Sequence, residues 1–391
     1  MTGLPGASRT KRVGCSDEYS ELFSLISEFT HDQLESRVDL CEANSAFPRD
    51  IFLELGRIGV LNLPYSHVID PQTPPVPYRV SLQVLEDIAS SWLAIAVGLS
   101  VHHLACAPLM NFGTPEQLSV WQSWILSGEA LGAYCLSEPH SGSDAAALSS
   151  TAVRDGDFYV LNGTKSWITH GGVADFYTVF ARTRSLKESG ISCFFIPADT
   201  PGLEFGKPES KMALNASPTV NIDLQNVRVP VSNRIGQEGE GFAIALASLD
   251  VGRLGIAACA VGLAHSALRI ANTYSQERMA FDHQIADFQG IGFMLADMAT
   301  SIYASRCVYL DAARLLDSGE SISQEAAMAK LFSTDTAMAV TTNAVQVLGG
   351  NGYTSGYRAE RYMREAKVLQ IVEGTNQIQR VIISRELRKD P

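Results

Sequence analysis

Apolar residues change their spacing twice along the chain, and each change marks a boundary between two kinds of secondary structure. From about residue 18 to residue 128 they recur at three- and four-residue steps, which is typical of amphipathic helices. The segment 131–234 instead carries β-rich runs broken by the turn dipeptides D-G at 155–156, N-G at 162–163 and P-G at 201–202. These runs predict hairpins in an antiparallel barrel or sandwich. After the Gly-rich hinge 236–241, long helical patterns continue to the end.

The sequence therefore predicts an α+β protein with helical, β and helical regions in that order. At 391 residues the chain exceeds what one hydrophobic core usually supports, so several domains are expected. We expect an N-terminal helical domain at 18–130, a middle β domain at 131–238 and a C-terminal four-helix bundle at 239–391. Residues 71–77 contain four prolines and are predicted to be a loop.

The first 17 residues have three basic residues and no acidic residue before Asp17. A disordered tail and the remnant of an organellar transit peptide both fit this composition, and the Gly and Pro residues favour the tail. The seven cysteines are scattered and form no C-x-x-C pair, which indicates neither a disulfide framework nor a zinc site. A reducing compartment follows: the cytoplasm, or the mitochondrial matrix in a eukaryote.

Charge and hydropathy exclude two classes of partner. The formal net charge is -12, and no basic block is present that could release counterions from nucleic-acid phosphates. No run approaches 18 apolar residues, so we expect no transmembrane helix and no membrane partner. With 46% hydrophobic and 18% charged residues, the composition is that of an ordinary globular protein.

One acidic residue, Glu373, stands out in Q-I-V-E-G-T-N-Q-I-Q, residues 370–379. It follows two β-branched apolar residues, Ile371 and Val372, and precedes a Gly-Thr pair. One interpretation is local, because Thr375 is a good helix N-cap and an acid near a helix N-terminus gains from the helix dipole. The other is a base held in an apolar pocket, with Ile371 and Val372 as walls. The segment alone does not decide between them.

Each of three further motifs, taken alone, can be explained by local structure without any function. Y-C-L-S-E-P-H-S-G-S-D, 134–144, gathers hydroxyl and backbone N–H groups in one loop, but it also reads as a capped turn. K-S-W-I-T-H-G-G, 165–172, places Trp167 and Thr169 on one strand face, where a Trp is usually core. Q-V-L-G-G-N-G-Y, 346–353, ends a helix with glycines and by itself predicts a C-cap.

Taken together, these motifs resemble the acyl-CoA dehydrogenase family of flavoproteins. Their order and spacing match, as do L-D-V-G-R at 249–253 and E-R-M-A-F at 277–281, and the resemblance covers about residues 20 to 388. Two departures are visible: Gly356 replaces an acidic or amide residue, and the Pro-rich 71–77 replaces a common Gly-Gly pair. The resemblance implies an FAD enzyme that forms a homo-oligomer, usually a tetramer, and acts in fatty acid or branched-chain acyl metabolism.

The resemblance also implies which positions bind FAD. The flavin and its ribityl chain would be held by two segments, namely Tyr134, Leu136, Ser137, Gly142 and Ser143, with Trp167, Ile168 and Thr169. Ser137 keeps the hydroxyl of the more usual Thr. Thr375, Asn376 and Gln377 would add contacts beside the base. A neighbouring subunit would hold the rest of the FAD through Arg278, Phe281, Phe288, Gln289, Gln346, Val347, Leu348, Gly349 and Gly350. Arg278 and Phe281 are spaced to share a helix face, and Arg suits a diphosphate.

Dehydrogenation of an acyl thioester needs a base for the α-proton, and Glu373 is the family's base position here. Some members carry the base at the position of Gly252 instead, which has no side chain to titrate, so Glu373 is favoured. That departure argues against the isovaleryl and long-chain groups. Ser143, Asp250, Arg253 and Gly374 match substrate-binding positions, although Asp250 and Arg253 also fit a surface ion pair.

The substrate's acyl chain is expected to be neutral. Members acting on glutaryl thioesters carry an arginine at the far end of the acyl pocket, whereas residues 80–113 contain no Arg or Lys. His102 and His103 lie in this stretch. We expect one to pack and bond a backbone carbonyl, while the other could meet a polar acyl group.

The resulting hypothesis is an acyl-CoA dehydrogenase that makes a trans-2-enoyl-CoA and passes electrons to a soluble electron-transfer flavoprotein. One alternative is a dehydrogenase of carrier-protein-bound acyl groups, which the acidic charge disfavours because such carriers are acidic too. Another is a flavin oxidase or monooxygenase on the same scaffold, against which the glutamate counts. A non-catalytic flavin-fold protein is the third.

Overall fold

The computed structural model describes residues 17–65, 75–184 and 190–389. The predicted tail therefore lies outside the described residues apart from Asp17, as do positions 71–74 of the Pro-rich segment. As predicted, the N-terminal region is helical. Its helices are α1 (Ser20–Phe29), α2 (Val38–Asn44), α3 (Arg49–Arg57), α4 (Tyr78–Ser91), α5 (Leu93–Phe112) and α6 (Pro115–Leu126).

Helix α6 begins where the sequence provides a complete capping box. The Thr114 side chain accepts a hydrogen bond from Gln117 N, and Gln117 Oε1 accepts one from Thr114 N at 2.9 Å. Pro115 occupies the first turn, where its missing N–H costs nothing. Helix α5 is apolar on almost every face and is correspondingly buried on most sides.

The middle region is a single mixed sheet of eight strands. The strands are β1 (Gly132–Cys135), β2 (Thr151–Asp155), β3 (Phe158–Thr169), β4 (Phe176–Arg182), β5 (Ile191–Pro197), β6 (Leu203–Phe205), β7 (Thr219–Pro230) and β8 (Arg234–Ile235). Their order is β6-β7-β3-β2-β4-β5-β8, and β1 pairs with β4. Most pairs are antiparallel, as expected, but β1–β4 and the short β2–β4 contact are parallel.

Two of the three predicted turns are turns. D-G at 155–156 connects β2 with β3, and P-G at 201–202 lies between β5 and β6. The expectation of a turn at N-G, 162–163, is wrong. Those residues lie inside β3, where the register against β7 shifts between Leu161 and Gly163. Gly163, with φ of 146°, marks a bulge that allows the long strand to bend.

The C-terminal region contains five helices among the described residues, one more than predicted. They are α7 (Gly241–Glu277), α8 (Gln289–Asp317), α9 (Ser323–Leu348), α10 (Ala359–Leu369) and α11 (Asn376–Glu386), with the two-stranded β9 (Met279–Ala280) and β10 (His283–Gln284) after α7. Helix α9 packs along both α7 and α8, and α10 and α11 pack back onto α9. The additional helix α10 lies between the motifs at 346–353 and 370–379.

The two helical regions share one hydrophobic core. Helices α4 and α5 pack on α7, so the N-terminal helices and the bundle bury their apolar faces against each other. A second apolar cluster joins the sheet to α5, α6 and α7, and a third lies within the sheet. The centre of the molecule is therefore the meeting point of α4, α5 and α7.

By length and composition alone, two helices could cross a membrane, contrary to the expectation from the apolar runs. They are α5 and α7, each with a window of mean hydropathy 1.7, and 89% and 72% of those windows are buried inside the protein. Isolated polar residues interrupt the apolar runs of both helices without lowering their mean hydropathy much. Burial of this extent is typical of the core helices of a bundle.

Candidate active site

The carboxylate of Glu373 lies inside the protein without a hydrogen-bond partner. The residue as a whole is half-buried, but both carboxylate oxygens are buried and accept no hydrogen bond from the described residues. Native structures rarely leave a buried carboxylate unsatisfied, and the exceptions are concentrated where a group reacts or binds a ligand. This placement favours the second of the two interpretations of the E-G-T segment.

A strained turn presents Glu373 to the interior. Its φ is 53°, a conformation that few non-glycine residues adopt, and Gly374 follows with φ of 93°. Thr375 caps α11 by accepting a hydrogen bond from Ile378 N at 3.3 Å. The local interpretation of Thr375 is therefore also correct, because the helix cap and the buried carboxylate belong to one turn.

Two buried side chains from outside the turn hold its carbonyl groups. Lys330, on α9, donates from Nζ to Gly374 O at 3.0 Å and to Asn376 Oδ1 at 2.8 Å. Gln379 donates from Nε2 to the same Gly374 O at 2.8 Å. Both side chains are completely buried. Strained backbone persists only where its surroundings fix it, and these bonds are that support.

Sequence reasoning missed Lys330. The signal was present, because Lys330 is a single cation in the apolar run A-A-M-A-K-L-F of a helix, where an unpaired lysine is costly. Burial lowers the pKa of Lys330 to about 7, although the negative charges of Glu373 and Asp335 oppose this. Lys330 is therefore electrostatically coupled to Glu373.

The pKa of Glu373 is set mainly by burial. Burial raises it to about 7, and the positive charges of Arg253 and Lys330 limit the rise. A carboxyl group with a pKa near neutrality is a stronger base than an exposed one and is still substantially ionised at physiological pH. The environment of Glu373 is thus suited to general-base catalysis.

Gly252, on α7, gives the carboxylate its space. A Cβ at this position would lie 2.2 Å from Glu373 Oε2 and 3.3 Å from Leu104 Cδ1. Any side chain there would displace the glutamate. A base at position 252 and a base at position 373 therefore exclude each other sterically, and in this chain the volume is occupied by Glu373.

A pocket extends from this point between α4, α5 and α7. Its lining residues are Pro64, Tyr65, Tyr78, Ser81, Leu82, Leu85, Ser100, His103, Leu104, Ala107, Ser248, Val251, Gly252 and Gly255. No Arg or Lys is among them, which agrees with the expectation of a neutral acyl group. Ile371, expected to form an apolar wall, is 53% exposed, so that expectation is wrong and the walls come from the three helices instead.

Asp250 and Arg253 form an ion pair one helical turn apart, as the spacing predicted. The pair is not the surface contact considered as the alternative, since Arg253 is almost completely buried. Burial raises the pKa of Asp250 despite the neighbouring guanidinium. Arg253 Nε is left without a partner among the described residues, so the guanidinium retains a free donor near Glu373.

The two neighbouring histidines have different roles. His102 Nδ1 accepts a hydrogen bond from Gly132 N at 3.0 Å, so this residue supports the start of β1. His103 lines the pocket, and its Nε2 is buried without a partner. Burial lowers the pKa of His103 to about 4, which keeps the imidazole neutral. One histidine is packed and the other is available, as expected, but the packed one bonds a backbone N–H and not the expected carbonyl.

The predicted flavin loop follows β1 and is anchored by a buried ion pair that sequence reasoning missed. Glu138 accepts a hydrogen bond from Lys165 Nζ at 2.7 Å and others from Ser149 N and Ser150 N at 2.7 and 3.0 Å. Burial alone would raise the pKa of Glu138, but Lys165 and these bonds outweigh it and hold the pKa at about 2. The sequence signal was Lys165, two residues before the W-I-T strand end.

Around this anchor, the predicted flavin contacts differ in accessibility. Tyr134 is half-buried and close to α7, with its hydroxyl 3.3 Å from Ala245 O, and Leu136 is buried. Ser137 is half-buried, while Gly142 and Ser143 are exposed. The loop therefore offers accessible groups beyond β1.

Trp167 is unusually exposed for its residue type. It is 65% exposed with φ of 63°, at a register shift between Lys165 and Ile168. Ile168 is buried in the sheet core and can contact a ligand only through its backbone, whereas Thr169 is half-buried on the Trp167 side. The core interpretation of Trp167 is wrong, because the bulge turns the indole outward.

Of the three residues after the base, Asn376 differs from the prediction. Its side chain is buried and already bonded to Lys330, to Thr334 Oγ1 at 2.9 Å and to Asp335 Oδ1 at 2.7 Å. It is therefore unavailable to a cofactor. Gln377 is exposed, and Thr375 is half-buried.

The residues predicted to serve the rest of the FAD lie at the opposite end of α7. The C-terminal end of α9 is held there by Asn351 Nδ2, which donates to Tyr274 OH at 2.9 Å. Exposed members of this set are Arg278, Phe281, Phe288, Gln289, Gln346, Gly349 and Gly350. The expectation that Arg278 and Phe281 share a helix face is wrong, because α7 ends at Glu277 and Phe281 lies between β9 and β10. Val347 and Leu348 are buried in the core, so their side chains are not cofactor contacts.

The two halves of the predicted FAD site are too far apart to serve one FAD within one chain. Tyr134 contacts α7 at Ala245, while Arg278 follows the last residue of that helix. At about 1.5 Å per residue, the intervening helix is roughly 50 Å long. A second copy of the chain would have to supply the missing half at each site.

The residues present fit FAD. Phe281 is 88% exposed with φ of 53°, and no atom lies within 4 Å of a Cβ built at Gly142, Gly349 or Gly350. Exposed aromatic rings, open glycine backbone and an exposed Arg278 are suited to a flat heteroaromatic ring system with a diphosphate. Arg278, Phe281 and Trp167 have the exposure that a shared cofactor site requires.

Comparison with known proteins agrees with this geometry. Three family models match along the chain: Acyl-CoA dehydrogenase, N-terminal domain, at residues 16–129; middle domain, at 133–227; and C-terminal domain, at 239–388. The short-chain specific acyl-CoA dehydrogenase of Bos taurus mitochondria is 43% identical over 99% of this chain and 91% of that protein.

Solved structures are equally similar. Butyryl-CoA dehydrogenase from Megasphaera elsdenii superposes with a TM-score of 0.93 at 36% identity, covering 96% of this chain and 99% of that one. A chain from a structure described as the electron transferring flavoprotein of Acidaminococcus fermentans gives a TM-score of 0.93 at 39% identity, covering 97% and 100%. The buried carboxylate, the matched domains and these relatives lead to one conclusion: the chain belongs to the acyl-CoA dehydrogenase family and is an FAD-dependent oxidoreductase that acts on acyl-CoA.

Proposed function

We propose that this enzyme oxidises a short, neutral acyl-CoA to the trans-2-enoyl-CoA, with Glu373 as the base that removes the α-proton. The observation that carries the proposal is the Glu373 carboxylate, which is buried without a hydrogen bond at the end of a pocket between α4, α5 and α7. A buried carboxylate without a hydrogen bond costs free energy, and such groups are concentrated at sites where they react.

Each step that the protein performs has a residue in place. The pocket walls orient the acyl chain along α7 and exclude water, and Glu373 accepts the α-proton. The Glu373 N–H donates to no acceptor among the described residues, so it is free to bind the thioester carbonyl as enolate charge develops. Bound FAD supplies the acceptor for the β-hydride, which no side chain can provide.

The pocket and the relatives support a short, uncharged acyl group. The bovine relative is named short-chain specific and the Megasphaera structure is named for butyryl-CoA. The pocket lining contains no Arg or Lys, so a second carboxylate on the substrate would have no cation beside it.

Electrons are proposed to leave through an electron-transfer flavoprotein. Support comes from the structural relative described with such a protein and from Glu373, which distinguishes this chain from the oxidase-type relatives considered above. Reduced enzyme should be reoxidised rapidly by a purified electron-transfer flavoprotein and slowly by oxygen. An oxygen electrode that recorded rapid oxygen consumption would instead favour the flavin oxidase.

Glu373→Gln, measured by anaerobic stopped-flow reduction of the flavin with butyryl-CoA, tests the assignment of the base. We expect a folded, FAD-loaded variant whose flavin is reduced about 100- to 10,000-fold more slowly, because general-base catalysis contributes on this order. The matched control is Glu365→Gln. Glu365, on α10, is also buried, and burial raises its pKa to about 8. Its nearest charges include Arg361 and Arg364, whereas those of Glu373 are Arg253 and Lys330, so the two carboxyl groups lie in different sites.

The control should keep the rate of the unaltered enzyme. A Glu373→Gln variant that reduced its flavin within a few-fold of that rate would contradict the assignment. Equal losses in both variants would attribute the effect to general loss of buried charge.

A further inference from the structure

Two of the buried polar atoms that lack a partner lie in the lining of the acyl pocket. Among the described residues, Ser81 Oγ on α4 and His103 Nε2 on α5 are buried without a hydrogen bond. Both residues line the pocket that reaches Gly252, the residue beside the Glu373 carboxylate. An aliphatic acyl chain offers these atoms nothing, and unsatisfied buried polar atoms oppose its binding.

The rise of helix α7 gives the distance between Glu373 and the polar groups of the pocket. Glu373 Oε2 lies over Gly252, and a Cβ at Gly255 would lie 2.4 Å from Ser100 Oγ. Three residues of helix separate these glycines, a rise of about 4.5 Å. The Ser100 hydroxyl therefore lies about one helical turn beyond the point where the α-carbon must meet Glu373.

The polar groups share one side of each helix with apolar neighbours. Ser81 lies one turn before Leu85 on α4, and Leu85 Cδ2 is 3.5 Å from the Gly255 Cβ position. Ser100 and His103 are spaced i, i+3 on α5. The lining thus combines apolar walls with a small set of hydrogen-bonding groups, the arrangement that fixes the orientation of a polar ligand.

The polar groups are uncharged, which restricts the ligand. Burial keeps His103 neutral, and no Arg or Lys lines the pocket. A carboxylate or an ammonium group on the acyl chain would be buried without a counter-charge. Serine hydroxyls and a neutral imidazole both donate and accept hydrogen bonds, as a hydroxyl group requires.

From this placement we infer that the preferred substrate is a short acyl-CoA whose far end carries a neutral hydrogen-bonding group, such as a hydroxyl, which Ser81, Ser100 and His103 bind. The inference rests on the proposed function, and it names the substrate class for the same pocket. It makes these three side chains specificity residues, while the chemistry at Glu373 is unchanged.

Two thioesters of equal size test the inference: hexanoyl-CoA and 5-hydroxypentanoyl-CoA, which differ by a methyl and a hydroxyl group at the end of the chain. Anaerobic flavin reduction by the FAD-loaded enzyme should give a kcat/KM at least about tenfold higher for the hydroxylated thioester, because a site with hydrogen-bonding groups rejects an analogue that leaves them unpaired. Ser81→Ala and His103→Leu should each reduce this ratio, mainly by improving the reaction of hexanoyl-CoA.

Ser248→Ala is the matched control. Ser248 lines the same pocket, but its hydroxyl already donates to Ile244 O at 2.9 Å, so its removal should leave the ratio between the two thioesters unchanged. The inference is overturned if the unaltered enzyme prefers hexanoyl-CoA, or if the two variants change both substrates equally.

These results also separate this inference from the proposed function. Flavin reduction by hexanoyl-CoA with no preference for the hydroxyl group would overturn the inference alone. A flavin that neither thioester reduces would overturn the proposed function and the inference with it.

Discussion

Glu373 and Lys330 form a buried pair without a direct hydrogen bond. The lysine bonds the backbone of the turn instead of the carboxylate, which remains free to accept a proton. Its charge still acts on Glu373 and limits the rise in pKa that burial causes. Lys330 is therefore a positioning residue with two separable effects, one on the geometry of the turn and one on the basicity of Glu373.

The pH dependence of kcat/KM measures the second effect. Because Glu373 must be ionised to act as a base, the rate should rise with pH through the pKa of about 7. Lys330→Met removes a positive charge that lowers this pKa, so the rising limb should move to higher pH. Loss of the hydrogen bonds to the turn should also lower the plateau of kcat/KM at high pH. The plateau therefore measures the effect on geometry separately from the effect on the pKa.

Thr334→Val provides the control for charge. Thr334 Oγ1 donates to Asn376 Oδ1 at 3.2 Å in the same network, but it carries no charge. Its loss should leave the position of the limb unchanged. If the rising limb of the kcat/KM profile lay at the same pH in Lys330→Met as in the unaltered enzyme, the lysine charge would not act on Glu373.

At the level of helices, the acyl pocket depends on the fixed position of α4. This helix carries Ser81, Leu82 and Leu85 into the pocket, and its Glu86 binds α8 on the other side. Glu86 accepts hydrogen bonds from Arg306 Nε at 3.0 Å and from Tyr309 OH at 2.5 Å, and all three residues are buried. Because the partners of the Glu86 carboxylate, Arg306 and Tyr309, are on α8, the contact fixes the position of α4 on the bundle.

Breaking the contact between Glu86 and Arg306 should destabilise the fold. Glu86→Leu leaves the Arg306 guanidinium buried and unpaired, so we expect the free energy of unfolding to fall by about 3–5 kcal/mol. The double variant Glu86→Leu/Arg306→Leu removes both charges and should recover most of the loss. Chemical denaturation of the FAD-loaded proteins measures both, and a single variant as stable as the original chain would contradict the account.

The sequence predicted the helical segments well and their contacts poorly. Periodicity located α1, α5, α7 and α9 because each has a long apolar pattern, and it placed the β region between them. It missed α10, whose apolar stripe is short, and it misread N-G, 162–163, since the same dipeptide serves a hairpin turn or a bulge. Glu86 and Arg306 are 220 residues apart, and no local sequence pattern predicts such a pair.

The same limit applies to the active site. Glu373 and Gly252 were identified because they lie in recognisable motifs, and the structure brings them into contact. Lys330 lies in no motif, and Gln379 ends the 370–379 motif without a role that its position predicts. Both roles arise only when α9 and α11 pack together. Asn376, Val347 and Leu348 were assigned to FAD by position, but their side chains are used in packing and internal hydrogen bonds.

The assembly is implied by the distance between the two halves of the FAD site. The exposed aromatic and open glycine residues beyond α7 are too far from the flavin end of the same chain to reach it, whereas a second chain could bring them there. The family resemblance predicted such sharing, and the roughly 50 Å of α7 between Ala245 and Arg278 supply its physical reason. Cofactor binding and oligomer formation should therefore be coupled.

Light scattering and FAD absorbance on the same samples test this coupling. We expect an oligomer of at least two chains with one FAD per chain, and a tetramer by resemblance to the family. Arg278→Ala should lower the FAD content, because the guanidinium is the predicted diphosphate contact. Dilution that dissociates the oligomer should release FAD in parallel. A monomer that retained a full complement of FAD would contradict the shared site.

Exchange of the substrate α-proton with solvent deuterium examines the base directly and without any redox step. The probe is a short acyl-CoA with sulfur in place of the β-carbon, which can lose an α-proton but no β-hydride. Followed by NMR in deuterated water, the unaltered enzyme should exchange this proton, and Glu373→Gln should do so at least about 100-fold more slowly. Exchange by Glu373→Gln at the rate of the unaltered enzyme would mean that another group removes the proton.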